Sequence, residues 1–135
     1  MLPRKTFSDR DAFVLTDGAG ANRFPLRAGT DAAEVGTAIS ASEAQRILEQ
    51  AFAVMARARA QIRQPLDSLA QVTISVVDTR GVPLGLVRSP DAPVFGIDVS
   101  LQKARTAALL SSAGAGAALA AVPDAVYLDG GLRVL

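Results

Sequence analysis

The sequence of 135 residues contains no cysteine and no histidine. Without cysteine, disulfide bonds, thiolate metal sites and cysteine nucleophiles are excluded. Without histidine, the usual general base, the commonest zinc ligand and the usual proximal haem ligand are missing, and a Ser-His-Asp triad cannot form. We therefore assign no catalytic residues and no metal site from the sequence.

Aromatic residues are also scarce, at 4% of the chain, although half of all residues are hydrophobic. The predicted core is therefore built from Ala, Val, Leu and Ile. Such a core buries less area per residue than an aromatic one, and burial contributes roughly 25 cal/mol per Å². Because the chain is also small, we expect self-association into a homo-oligomer to stabilise it.

The sequence also lacks an excess of charge of either sign, since 14 basic and 13 acidic residues give a net charge of +1. This balance, without aromatics interleaved among basic residues, disfavours a nucleic-acid partner. No apolar run approaches the roughly 20 residues that a membrane span needs, and no signal peptide follows the first residues. The expectation is a cytoplasmic protein without a membrane partner.

The organisation along the chain predicts an irregular N-terminal extension, 1–39, and one domain, 40–135. In the extension, 13–16 is predicted as a short strand, with 23–26 returning after a turn at 17–22. Gly18 and Gly20 suggest a phosphate-binding loop. A turn is the better interpretation, because Pro25 blocks the helix that such a loop needs.

The clearest predicted element is a helix over 40–63. Ser40 and Glu43 match a capping box, and Pro65 is expected to end the helix. The arginines near its end are interpreted as a solvated face with favourable placement on the helix dipole. Apolar residues at helical spacing form the predicted buried stripe: Ala44, Ile47, Leu48, Ala51, Met55, Ala58 and Ile62.

A β-hairpin is predicted over 71–88, with Val72, Ile74 and Val76 on one face. Asp78 is interpreted as a turn former before Gly81, and Pro83 requires an edge or an unpaired position. A second helix follows over 97–110, with one face formed by Ile97, Leu101, Ala104 and Ala108. The Ala/Gly stretch 111–122 is a loose helix or a linker, 127–131 a turn, and 132–135 the beginning of a strand.

Several strings in this region resemble the HbpS/GlcG-like family of haem-binding or haem-degrading domains. They are VTISVVDTRG (72–81), Leu84, Arg88, the Asp91-Ala-Pro loop and, most specifically, KARTAA (103–108). The resemblance covers about half of the chain. It implies a profilin-like α/β (α+β) fold, with a small antiparallel sheet and flanking helices, often in higher oligomers.

The resemblance also implies a ligand site at Arg88, Asp91, Lys103 and Thr106, with haem as the possible cofactor. The family loop Arg-x-Asp-Gly-Ala is replaced here by a stiffer Arg88-Ser-Pro-Asp-Ala-Pro93. Without histidine, an iron porphyrin would need Tyr127, Met55, Lys103 or an oxygen ligand. Family members continue into further strands, so we expect a truncated domain or one completed by partner subunits.

Three functions remain open at this point. The first is a non-enzymatic binding protein for haem or a related small molecule, acting as an oligomer. The second is an enzyme or enzyme accessory for a small organic acid, with Arg88 or Lys103 pairing a carboxylate and Asp91 as acid or base. The third is a structural or interaction module without a ligand. Convergence of these side chains on one cavity would separate the second hypothesis from the others.

Overall fold

The computed structural model describes residues 6–9 and 11–122 and has an α+β architecture. Four helices and two strands occur in this part of the chain: α1 (Ala32–Val35), α2 (Ala41–Met55), β1 (Thr73–Val77), β2 (Pro83–Arg88), α3 (Gly96–Leu110) and α4 (Ala115–Ala120). The strands form a small antiparallel sheet. The predicted α+β class, a small antiparallel sheet with flanking helices, is confirmed.

Helix α2 begins at the predicted capping box. The Ser40 hydroxyl accepts the Glu43 amide at 3.2 Å, and the Glu43 carboxylate accepts the Ser40 amide at 2.8 Å. These two bonds satisfy donors that a helix start otherwise leaves unpaired. The buried face consists of Ala44, Leu48, Phe52 and Met55. Phe52 shares the spacing of this stripe but was not included in the sequence prediction.

The predicted end of this helix at Pro65 is wrong, because α2 ends at Met55. The following chain turns back on itself instead, and the Ala60 and Ala70 amides donate to Ser68 and Ala58 carbonyls, both at 2.8 Å. These bonds replace the helical ones, so the tertiary path overrides a weak apolar periodicity. As a result, Ile62, predicted to be buried, is 95% exposed.

The hairpin lies where the sequence predicted it. Gly81 has a φ of +76°, which suits the left-handed turn position. Pro83 pairs with Val77 where the register shifts, so the missing proline amide falls at an irregularity in the ladder. Ile74 and Val76 pack against the core on the α2 side, while the Ser75 hydroxyl contacts that of Ser100 in α3 at 3.0 Å.

The hairpin is therefore flanked by helices on both faces, as predicted: α2 packs against both strands and α3 against β1. The core cluster consists of Phe7, Leu48, Phe52, Met55 and Val87. The expectation of a core built only from aliphatic residues is wrong, since two phenylalanines belong to this cluster. Their large rings fill space that small aliphatic side chains leave open.

The N-terminal segment packs along β2. Phe13 and Arg88 exchange backbone hydrogen bonds of 2.9 and 3.0 Å, and the Arg27 amide donates to Leu84 at 3.0 Å. Gly85 is required for this packing, because a Cβ there would lie 2.8 Å from Leu26 and 2.9 Å from Leu48. Residues 17–20 form the predicted turn, whose loop closes on the Asp17 carboxylate.

A reciprocal set of hydrogen bonds joins this segment to the hairpin turn; we name it the turn-end network. The Asp31 carboxylate accepts from the Thr79 amide and hydroxyl at 2.9 and 2.7 Å. The Asp78 carboxylate accepts from the Thr30 amide and hydroxyl at 2.9 and 2.8 Å. It also accepts the amides of Arg80 and Val82. Both carboxylates are buried, and Asp78 is a turn former as predicted.

Helix α3 spans nearly the predicted range and buries Leu101, with Ile97, Ala104 and Ala108 half-buried. The Ala/Gly stretch forms α4, a short helix. The predicted turn at 127–131 and the strand beginning at 132 lie outside the described residues. No helix in the described part of the chain has the length and apolar character required to cross a membrane.

Candidate functional site

Among the cavities given by the described residues, none is lined by all four residues that the family resemblance implies. Arg88, at the end of β2, donates from Nη2 to the Ala92 carbonyl. Asp91 lies in the following loop and forms an ion pair with Arg63. On α3, the Thr106 hydroxyl donates to the Gln102 carbonyl at 2.9 Å and is exposed. Of the four, Lys103 alone lines the large groove of the described structure.

This groove lies between the N-terminal half of α3, the start of β1 and the turn-back segment after α2. Its volume is about 500 Å³. The lining is mostly apolar, with Ile62, Val72, Phe95 and Val99 among its exposed side chains. Such a volume and lining match small-molecule sites, which commonly have volumes of about 300–1,000 Å³.

Three cationic side chains border the groove: Arg59, Arg63 and Lys103. No acidic residue lines the groove within the described part of the chain. Arg59 uses its Nε to hold the Leu66 carbonyl, and Arg63 contacts both the side chain and the carbonyl of Asp91. The Lys103 ammonium makes no ion pair or hydrogen bond with any residue in 6–9 or 11–122. The groove thus carries an excess of positive charge at its rim.

One residue of the groove lining, and its cross-strand neighbour outside the lining, each hold a polar atom that lacks a partner. Thr73, the first residue of β1, lines the groove, and its Oγ1 is buried without a hydrogen bond. Arg88 is its cross-strand partner, and the Arg88 Nε is likewise buried without one. Buried polar atoms are usually satisfied in folded proteins, so two orphans on one strand pair mark an unusual position.

A second depression, in front of α2, has a different character. It has a volume of about 390 Å³ and is lined by both an acidic and a basic residue, Glu43 and Arg46. The Glu43 carboxylate is already engaged with Ser40. The hydrogen bonds from the Ser40 amide and hydroxyl hold the pKa of Glu43 below its usual value. This side chain therefore serves the helix cap.

Sequence reasoning missed Arg59, Arg63 and Thr73 as groove residues. The two arginines were interpreted as a solvated helix face, because the helix was extended to residue 63. With α2 ending at Met55, both lie on the turn-back segment that forms one wall of the groove. The signal for Thr73 was limited to its place, with Ser75, on the polar face of β1.

The fold and the groove define a small α+β domain with an open, apolar binding groove bordered by cations. The chain belongs to the HbpS-like family: the model of the family described as haem degrading protein HbpS-like matches residues 47–134. All residues lining the groove fall within this range. No curated protein and no solved structure gives a significant match to the chain.

The family description raises the question of whether the groove fits haem. The apolar walls and cationic rim fit a planar apolar ring with carboxylate side chains. The usual axial ligands of haem iron are His, Cys, Met and Tyr, and none of them is among the described residues that line the groove. Met55, one of the residues expected as a substitute ligand, is 8% exposed and belongs to the core. Tyr127 lies outside the described residues. Lys103, the remaining side chain expected as a substitute ligand, lines the groove, so the described lining fits the organic ring and offers the iron Lys103 but none of its usual ligands.

Proposed function

We propose that this protein is a non-enzymatic binding protein for a flat, apolar molecule that carries carboxylates, with haem as the ligand suggested by its family. The observation that carries the proposal is the groove, which combines exposed apolar side chains with Arg59, Arg63 and Lys103 and no acid in its described lining. An anionic amphipathic ring matches both properties.

The apolar part of the groove supplies affinity by removing hydrocarbon surface from water, at roughly 25 cal/mol per Å². Phe95, 71% exposed, and Ile62, 95% exposed, would both lose contact with water beneath such a ring. Arg59 and Lys103, which form no ion pair with any described residue, then orient the ligand by pairing with its carboxylates at the rim, where each exposed pair is worth about 0–1 kcal/mol. Iron ligation has no part in this proposal.

The test is a titration of the full chain with hemin and with iron-free protoporphyrin, followed by absorbance and fluorescence. We expect saturable binding of both, with similar affinities, because the ring and the carboxylates are common to both. Binding that never saturates with either ligand would refute the proposal. Saturable binding of hemin with none of the iron-free ring would show that iron, and not the groove, provides the affinity.

The alternative of an enzyme or enzyme accessory for a small organic acid required Arg88, Asp91 and Lys103 to converge. Only Lys103 lines the groove, and Asp91 is paired with Arg63 instead. We therefore favour the binding protein. Displacement of protoporphyrin by millimolar succinate would support the alternative, while absence of saturable binding by either class of molecule would favour a structural module.

We further propose that the protein acts as a homo-oligomer. A sheet of two strands is marginal by itself, and the described residues supply no third full strand. Exposed apolar side chains such as Val94 and Leu66 are suited to a subunit contact. Light scattering on the purified chain should give a mass that is a multiple of 13.9 kDa. A monomer over the whole concentration range would contradict this.

A further inference from the structure

We infer that Thr73, in the lining of the groove, forms a subsite whose hydroxyl donates a hydrogen bond to a carboxylate oxygen of the ligand. The inference rests on the proposed function and deepens it, because it assigns a position within the groove to the ligand's charged end. Thr73 lines the groove, yet its Oγ1 has no hydrogen-bond partner in the described structure.

The chemistry of the two orphaned atoms specifies what they bind. The Arg88 Nε can only donate a hydrogen bond, and a threonine hydroxyl can donate one as well. Thr73 and Arg88 are directly opposite in the hairpin. Such partners have Cβ atoms about 4.5–5.5 Å apart on one face of the sheet. An acceptor oxygen that pairs with the Thr73 hydroxyl would therefore lie beside the strand position of Arg88, whose charge favours an anionic oxygen over a neutral one.

Gly96, the first residue of α3, lies beside this hydroxyl. A Cβ built on Gly96 would lie 3.5 Å from the Thr73 Oγ1 and 3.9 Å from its Cβ. These are ordinary van der Waals distances, so an alanine fits without displacing its surroundings. A methyl group there would nevertheless occupy the position from which a ligand oxygen reaches the hydroxyl.

These features provide two variants whose fold should survive. Thr73→Val keeps the shape of the side chain and removes a buried unsatisfied group, so stability should be unchanged or higher. Gly96→Ala places a better helix former in α3, and its stability should also be unchanged or higher. A purely structural role for the hydroxyl predicts unchanged ligand binding in both.

The experiment compares protoporphyrin with its dimethyl ester on the full chain. For Thr73→Val and Gly96→Ala we expect protoporphyrin affinity to fall about tenfold or more, the value of one hydrogen bond to a charged group. Affinity for the ester, whose carboxylates are masked, should stay that of the parent protein. Thr73→Ser should retain binding, and the matched control Thr16→Val, at an exposed position, should bind both ligands normally.

Three outcomes would overturn the inference. Unchanged protoporphyrin affinity in both variants would show that the hydroxyl meets no ligand oxygen. Equal losses for the acid and the ester would assign the effect to shape. If the parent protein binds neither porphyrin, both the proposed function and this subsite are refuted. If the parent protein binds normally and the variants are unaffected, this subsite alone is refuted.

Discussion

Buried polar groups at the two ends of the hairpin differ in their hydrogen bonding. Those at the turn end, which contains Asp78, have partners, and those at the open end, where Thr73 lies opposite Arg88, lack them. At the turn end, Asp31 and Asp78 are buried, and both carboxylates accept several short hydrogen bonds. At the open end, the Thr73 hydroxyl and the Arg88 Nε are buried without partners. Exposed apolar side chains surround the open end, where Phe95 and Ile62 border the groove.

The two ends of the hairpin therefore have different roles, one in stability and the other in binding. Satisfied buried groups hold the N-terminal segment to the turn, and leaving any of them unpaired would cost free energy. Buried groups without partners cost folding free energy, and a ligand that pairs with Thr73 in the groove lining would offset part of that cost. The turn end therefore stabilises the fold, while the open end carries the candidate site.

The largest effect is expected from Asp78→Ala, which would remove the acceptor of four donors on Thr30, Arg80 and Val82. We expect the free energy of unfolding to fall by about 3 kcal/mol, measured by urea denaturation. The matched control is Asp98→Ala, whose carboxylate is exposed and accepts one bond from Gln102. It should change stability by less than about 0.5 kcal/mol. Equal stability of the two variants would contradict the stabilising role of the hydrogen bonds at the turn end.

The second-largest effect is expected from low pH, which should reduce the stability that the carboxylates of the turn end contribute. Burial raises the pKa of Asp78, but the hydrogen bonds from Thr30, Val82 and Arg80 together outweigh it and leave the pKa below its ordinary value of 3.8. The Thr79 amide and hydroxyl likewise lower the pKa of Asp31. Because the folded values lie below the unfolded ones, this stabilisation is complete above the ordinary value and is lost as the pH falls through the folded pKa values.

The measurement is urea denaturation at a series of pH values. Stability should be nearly constant between about pH 5 and 8, since the chain has no histidine to titrate there. It should decline below the ordinary aspartate value, and Asp78→Asn should show a shallower decline. A loss of stability centred between about pH 5 and 7 would contradict this account.

At the open end, Lys103→Gln should act on binding and not on folding. We expect protoporphyrin affinity to fall about fivefold, consistent with an exposed ion pair worth up to about 1 kcal/mol. Arg105→Gln is the matched control on the same helix. The Arg105 Nε donates to the Gly81 carbonyl at 3.0 Å, so this side chain belongs to the turn end. Equal loss of affinity in both variants would mean that net charge alone attracts the ligand.

The smallest effect on folding is expected from Phe95→Ala, because the ring is 71% exposed. The free energy of unfolding, measured by thermal denaturation, should fall by no more than about 0.5 kcal/mol. Porphyrin affinity should nevertheless fall about threefold to tenfold, because an aromatic contact is lost. Val54→Ala, on an α2 residue that is 62% exposed and outside the groove lining, provides the control. If Val54→Ala weakens binding as much, the apolar contact is non-specific.

The success of sequence reasoning followed the strength of local signals. The capping box at Ser40 and Glu43 and the glycine turn at Gly81 are encoded by adjacent residues, and both were predicted correctly. The end of α2 was not, because Ala58 and Ile62 continue a helical spacing that the structure abandons for backbone bonds to a distant segment. That error hid the groove, whose wall consists of residues predicted to be helical.

The candidate site was harder to predict from the sequence than the fold was, for the same reason. Arg88 and Thr73 lie far apart in the chain, and only the hairpin register makes them opposite partners. The four residues carried over from the family resemblance include one that lines the groove, Lys103. The Thr30 and Asp31 contacts with the hairpin turn could not be inferred from spacing, because they join segments 48 residues apart.

By itself, the sequence determined the helix–hairpin–helix order, the helix cap, the turn and the absence of histidine and cysteine chemistry. Each follows from the identity of residues close together in the chain. Only the tertiary structure decided where α2 ends, which carboxylates are buried and satisfied, and which polar atoms are left without partners. These depend on backbone groups of distant segments, whose hydrogen bonds no local pattern of side chains specifies.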